Sequence, residues 1–134
     1  MRHLAALPVF CATLAACAAP AASIPGAAFT LERGQAVDVA PGVTLVFEAV
    51  DDSRCPPGMR CVRAGALRYR FSIRAGAAAP DTFTLTPGQL DAAPQALAGR
   101  RILLDEAALP APAAPGIPIV YRATLRLTPT LPTP

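Results

Sequence analysis

The chain has 134 residues, room for one domain rather than two. Its 12 basic side chains are all arginine, set against 9 acids, and their scatter argues against a nucleic-acid face. His3 is the single imidazole and lies in the opening residues, so removal of a leader would exclude Ser–His and Cys–His catalysis.

Met1-Arg2-His3 is a short positive start, followed by an apolar run from Leu4 to Ala16. Thirteen residues match a secretory signal and fall short of a bilayer span. The run ends Leu14-Ala15-Ala16-Cys17, which resembles the lipobox of bacterial lipoproteins. That resemblance implies a signal peptide over residues 1–16 and a lipid on Cys17. Ordinary secretory cleavage beside Ala16 and Ala18 is the alternative. Three acyl chains on one cysteine would anchor firmly, whereas one chain gives marginal binding. Ala18, rather than Asp, follows the cysteine, which by resemblance to Gram-negative sorting implies the outer membrane and a periplasm-facing domain. Residues 17–28, with Pro20, Pro25 and Gly26, read as a lipidated flexible tether. The remainder then carries 11 arginines against 9 acids, a net charge of +2.

Period-two patterning takes over at Phe29-Thr30-Leu31-Glu32-Arg33 and continues at Val37-Asp38-Val39. After a turn at Ala40-Pro41-Gly42, Val43 to Val50 is apolar on both faces and predicts an interior strand. The clearest strand is Leu67 to Arg74. There Leu67, Tyr69, Phe71 and Ile73 alternate with Arg68, Arg70, Ser72 and Arg74. A short strand is expected at Thr82–Thr86. Gln95 to Leu109 is ambiguous between a helix and a strand at Arg100–Asp105, and the strand is preferred. Pro110 to Pro118 reads as an extended loop. Ile119 to Leu127 reads as the last strand, with Ile119, Tyr121, Ala123, Leu125 and Leu127 inward. About seven strands predict an all-β, small antiparallel β-sandwich over residues 29–128, immunoglobulin-like or a partly open barrel. Residues 129–134 are expected to fray as a disordered tail.

Cys55-Pro56-Pro57-Gly58-Met59-Arg60-Cys61 interrupts the strands. The two prolines lack amide donors and Gly58 admits a turn, so the segment must loop and bring the sulfurs together. With Cys11 in the leader and Cys17 lipidated, Cys55 and Cys61 remain as a pair for a disulfide in an oxidising compartment. A redox pair, a metal site and free thiols are the alternatives. Redox pairs favour Cys-x-x-Cys beside a helix, and two thiols without further ligands make a poor zinc site.

The surrounding pattern, Asp52-Ser53-Arg54-Cys55-Pro56 and then Cys61-Val62-Arg63-Ala64-Gly65, resembles a group of small, uncharacterised bacterial lipoproteins. Where members of that group carry Trp after Cys-Val, this chain has Arg63. The resemblance implies a secreted, lipid-anchored β-domain with a disulfide-type segment between two strands. It brings no reaction with it.

Asp51-Asp52 and Asp105-Glu106 are the carboxylate pairs available for acid–base chemistry or a calcium site, both placed at solvated loop ends. Neighbours on a strand point to opposite faces, and alternating oxygen ligands are missing. The expectation is therefore no catalytic residue, no metal and no cofactor beyond the lipid on Cys17. Two binding elements are expected instead. Arg68, Arg70 and Arg74 could meet lipopolysaccharide or an acidic envelope protein, although such a stripe also simply solvates a sheet. Pro56, Pro57, Gly58, Met59 and Arg60 could form a clamped recognition loop, in the manner of a protease inhibitor. The expected role is a membrane-anchored, non-catalytic structural or interaction module.

Overall fold

The structure, a computed structural model, describes Gly26 and residues 28–129. The expected signal peptide, Cys17 and nearly all of the tether lie outside the described residues, as do residues 130–134.

Eight strands form two antiparallel four-stranded sheets. β1 (Ala28–Glu32) pairs with β8 (Arg122–Leu127), followed by β7 (Ile102–Leu104) and β6 (Asp91–Ala92). The second sheet runs β2 (Ala36–Ala40), β3 (Val43–Asp52), β4 (Leu67–Ala75) and β5 (Asp81–Leu85). The all-β sandwich expected from the alternation is therefore present, and its sheets do not close into a barrel. Its connections are plainer than an immunoglobulin-like order. Apart from β1 with β8, every hydrogen-bonded neighbour is also the next strand in sequence.

The alternation in β4 explains the core. Leu67, Tyr69, Phe71 and Ile73 are buried, whereas Arg68, Arg70 and Arg74 stand exposed. Phe47 stacks on Tyr69 at 5.3 Å and on Phe71 at 5.1 Å between ring centres, and Phe71 stacks in turn on Phe83. Leu31, Ile102, Leu104, Ala123, Leu125 and Leu127 supply the facing sheet. The strands carry all of this buried apolar core except Leu97, which the 3₁₀ turn before β7 adds.

β3 is interior, flanked by β2 and β4 as its two-faced apolar run suggests. A bulge between Phe47 and Ala49 then changes its phase. Before it, Val43, Leu45 and Phe47 point inward. Beyond it, Val50 lies opposite buried Tyr69 and Asp52 opposite buried Leu67, while Asp51 faces Arg68 on the outer surface. One inserted residue thus turns Asp52, rather than Asp51, toward the sandwich interior.

Three expectations change. β6 is an eighth strand too short to leave a pattern. The Arg100–Asp105 strand is reduced to Ile102–Leu104, between 3₁₀ turns at Gln95–Leu97 and Glu106–Ala108. The last strand begins at Arg122 rather than Ile119, because its partner β1 ends at Glu32, opposite Arg122. Ile119 and Tyr121 belong to the preceding loop and are half-buried.

Candidate functional site

The register defines two ends of the sandwich. Ala28, at the start of β1, lies opposite Arg126 near the close of β8. The β3–β4 connection, residues 53–66, lies at the other end, together with the loop of residues 109–121 that leads into β8.

Asp52 and Arg54 sit two apart on the extended end of β3, so their side chains share one side of the chain. Asp52 Oδ1 accepts from Arg54 Nε at 2.8 Å and from the Arg54 backbone amide at 3.2 Å. Its Oδ2 accepts from Arg54 Nη2 at 2.8 Å and from Tyr121 Oη at 2.8 Å. Arg54 Nη1 donates to the Pro110 carbonyl at 2.8 Å. This two-pronged pair ties the end of β3 to the loop before β8, hence one sheet to the other. The two side chains are only 18% and 12% exposed, which corrects the expectation that Asp52 is solvated. Asp51 does remain exposed, paired with Arg68 at 3.4 Å.

The electrostatics follow from this packing. The Arg54 guanidinium holds the Asp52 carboxyl down to about 2, helped by Tyr121 and opposed by burial. Arg54 is raised in turn by its bond to Asp52, and Tyr121 is raised by burial and by donating to Asp52. Tyr69 packs edge-on to Tyr121, with ring centres 6.5 Å apart, and burial pushes its phenol up to about 12. The Tyr69 hydroxyl is fully buried and has no hydrogen-bond partner among the described residues. A carboxylate accepting four hydrogen bonds and held near 2 has no proton to give at neutral pH. Its place in the fold is that of a cross-sheet fastening.

Cys55 and Cys61 form a disulfide, with S–S 2.08 Å and Cα atoms 5.8 Å apart. The strands continue into its base. Ser53 N donates to Ala66 O at 2.9 Å, Ala66 N donates to Ser53 Oγ at 3.0 Å, and Cys55 N donates to Ala64 O at 3.2 Å. The loop then curls, with Met59 N donating to Pro56 O at 3.2 Å and Gly58 at φ +78°. Gly65 is demanded by sterics. At φ +68°, a Cβ there would lie 1.8 Å from the Ser53 carbonyl oxygen.

Pro56, Pro112, Ala113, Ala114, Ile117, Ile119 and Tyr121 face Asp52 and Arg54 across an open cleft of about 190 Å³. Met59 and Arg60, two members of the expected recognition loop, are exposed. Arg68, Arg70 and Arg74 form the expected stripe on β4, with Arg68 engaged by Asp51. Among the described residues, no three or more His, Cys, Asp or Glu gather as a metal-ligating group. Asp105 accepts from Ala107 N at 3.1 Å and so caps a 3₁₀ turn beside Glu106. Sequence reasoning missed Arg54 and Tyr121 as partners of Asp52. The Asp52-x-Arg54 spacing was the available signal for one of them; nothing local pointed to Tyr121, 69 residues away.

Comparison with protein-family models, with curated proteins and with solved structures gives no match.

Proposed function

We propose that this is a lipid-anchored bacterial envelope protein whose β-sandwich serves as a non-catalytic structural or interaction module. The lipid on Cys17 would hold the chain to the outer membrane, with the domain facing the periplasm. The observation that supports this reading is the strand register. Ala28, the last residue of the expected tether and the first of β1, lies at the opposite end of the sandwich from the cystine loop and residues 109–121. β3 alone spans roughly 30 Å, so an anchored domain would present these loops well away from the tether's point of entry. The sequence beyond residue 17 contains no histidine, which leaves out Ser–His and Cys–His catalysis for such a module.

The test is mass spectrometry of the mature N-terminus after expression in a Gram-negative host. The expected result is a terminus at Cys17 carrying diacylglyceryl and an amide-linked acyl chain. Cys17→Ala should leave an unprocessed precursor or a soluble form. An unmodified terminus beginning at Ala19 would overturn the anchored reading.

A further inference from the structure

The loop end of the sandwich has a composition of its own. Five large apolar side chains stand exposed among the described residues, and four of them are in these two loops: Met59, Val62, Ile117 and Val120. Each is more than half exposed. Arg60 and Arg63 lie between and beside the first two, are exposed, and have no ion-pair partner among the described residues. Residues 53–66 and 109–121 contain no Asp or Glu, so the two loops are apolar and cationic together, and exposed Asp51 at the base of the first is paired with Arg68.

We propose that this end is a docking surface for an anionic phospholipid bilayer, separate from any lipid on Cys17. Charge complementarity selects the occupant, since each arginine near an anionic bilayer surface adds attraction and its long stem lets the charge sit at headgroup level. The apolar tips enter the headgroup–acyl boundary, where burial of their surface is favourable. The backbone suits that environment as well. Pro56, Pro57, Pro115 and Pro118 carry no N–H, which leaves fewer unpaired donors to strip of water. The disulfide and the Arg54–Pro110 contact hold the loops in place, so little ordering is needed on contact.

The experiment is vesicle co-sedimentation of the chain from Ala18 onward, which contains the whole described core and lacks the lipid. Vesicles of phosphatidylcholine, with and without phosphatidylglycerol, are compared at several salt concentrations. The expected result is binding to the anionic vesicles that weakens as salt rises. Arg60→Ala with Arg63→Ala should lower that partition by roughly thirtyfold. Val62→Asp with Val120→Asp should remove it, with the melting temperature unchanged in both variants. Arg70→Ala with Arg74→Ala, on the β4 stripe, should leave it nearly intact. No binding to anionic vesicles at low salt overturns the proposal. So does equal binding to neutral vesicles, or a loss that follows the β4 pair instead of the loop pair. Because the tested chain carries no lipid, a negative result leaves the anchoring at Cys17 to be decided by its own mass.

Discussion

Tyr121 Oη donates to Asp52 Oδ2 at 2.8 Å, across 69 residues of sequence and from one sheet's approach to the other's end. The same oxygen accepts from Arg54, which in turn holds the Pro110 carbonyl. The end of β3 and the loop before β8 therefore meet at one carboxylate and its arginine, and the cystine loop projects from directly beyond them. The geometry of the loop end depends on that carboxylate remaining charged.

Acid should loosen this fastening. Asp52 is held from its ordinary 3.8 down to about 2, so the folded state binds its proton less readily than the unfolded chain. Its contribution is then fully present above about pH 4 and is lost as pH falls through about 2, amounting to about 2 kcal/mol. Asp52→Asn should lose stability at pH 7 and show a flatter stability profile between pH 4 and 2. Chemical denaturation across that range measures both. A wild-type profile no steeper than that of the variant would contradict the assignment.

The two tyrosines should respond in opposite directions. Tyr121→Phe removes a hydrogen bond to a charged group and should cost about 1.5–3 kcal/mol. Tyr69→Phe removes a buried hydroxyl that has no partner among the described residues. Its desolvation cost disappears with it, so the variant should be neutral or up to about 1 kcal/mol more stable. The phenyl ring keeps its stacking on Phe47. Thermal melts of the two variants give the answer, and destabilisation by Tyr69→Phe would reveal a bridging partner for the hydroxyl.

The sandwich was legible because β4 alternates without interruption and Phe71 can face only one way. The fastening was not, and the bulge after Phe47 is the reason. Reading the alternation straight through β3 places Asp51 with Phe47 on the inner face. One inserted residue reverses that assignment, and its presence is set by pairing with β4 rather than by any local residue type. Likewise, β6 and the shortened β7 owe their pairing to position in the sheet. The Ala- and Leu-rich stretch Gln95–Leu109, which contains β7, favours a strand but leaves helix open as the alternative. By contrast, the disulfide was readable from composition, since two prolines and a glycine leave the Cys55–Cys61 segment no regular structure to adopt.

Glycines at the base and at the tip of the loop should differ in tolerance. Gly58 and Gly65 both have positive φ, yet a Cβ at Gly58 meets no atom within 4 Å, whereas one at Gly65 strikes the Ser53 carbonyl. Gly58→Ala carries only the conformational penalty, about 1 kcal/mol. Gly65→Ala must also push Ser53 and Ala66 apart, so its loss should exceed about 2–3 kcal/mol. Equal losses would show that the hairpin base yields easily. The comparison needs no ligand, only two denaturation curves.

The cystine itself separates a staple from an inhibitor loop. Closing the seven residues from Cys55 to Cys61 should stabilise the fold by about 2–2.5 kcal/mol on the chain-entropy model, because short loops gain least. Domains of this size have about 5–15 kcal/mol in hand, so Cys55→Ser with Cys61→Ser should fold and melt at a lower temperature. The Ser53–Ala66 hydrogen bonds at the base do not require the sulfurs and should persist. A protease reads an extended segment that adds to its own strand edge. Here Met59 N instead folds back onto Pro56 O, and Gly58 takes a positive φ between them. Exposure of Met59 and Arg60 is therefore not enough to fill a specificity pocket. The measurement is inhibition of a panel of serine proteases by the oxidised chain from Ala18 onward. The expected outcome is no inhibition at micromolar concentration, with Met59→Ala and Arg60→Ala making no difference to it. Inhibition abolished by either substitution, without a change in melting temperature, would instead make the loop a protease-recognition element.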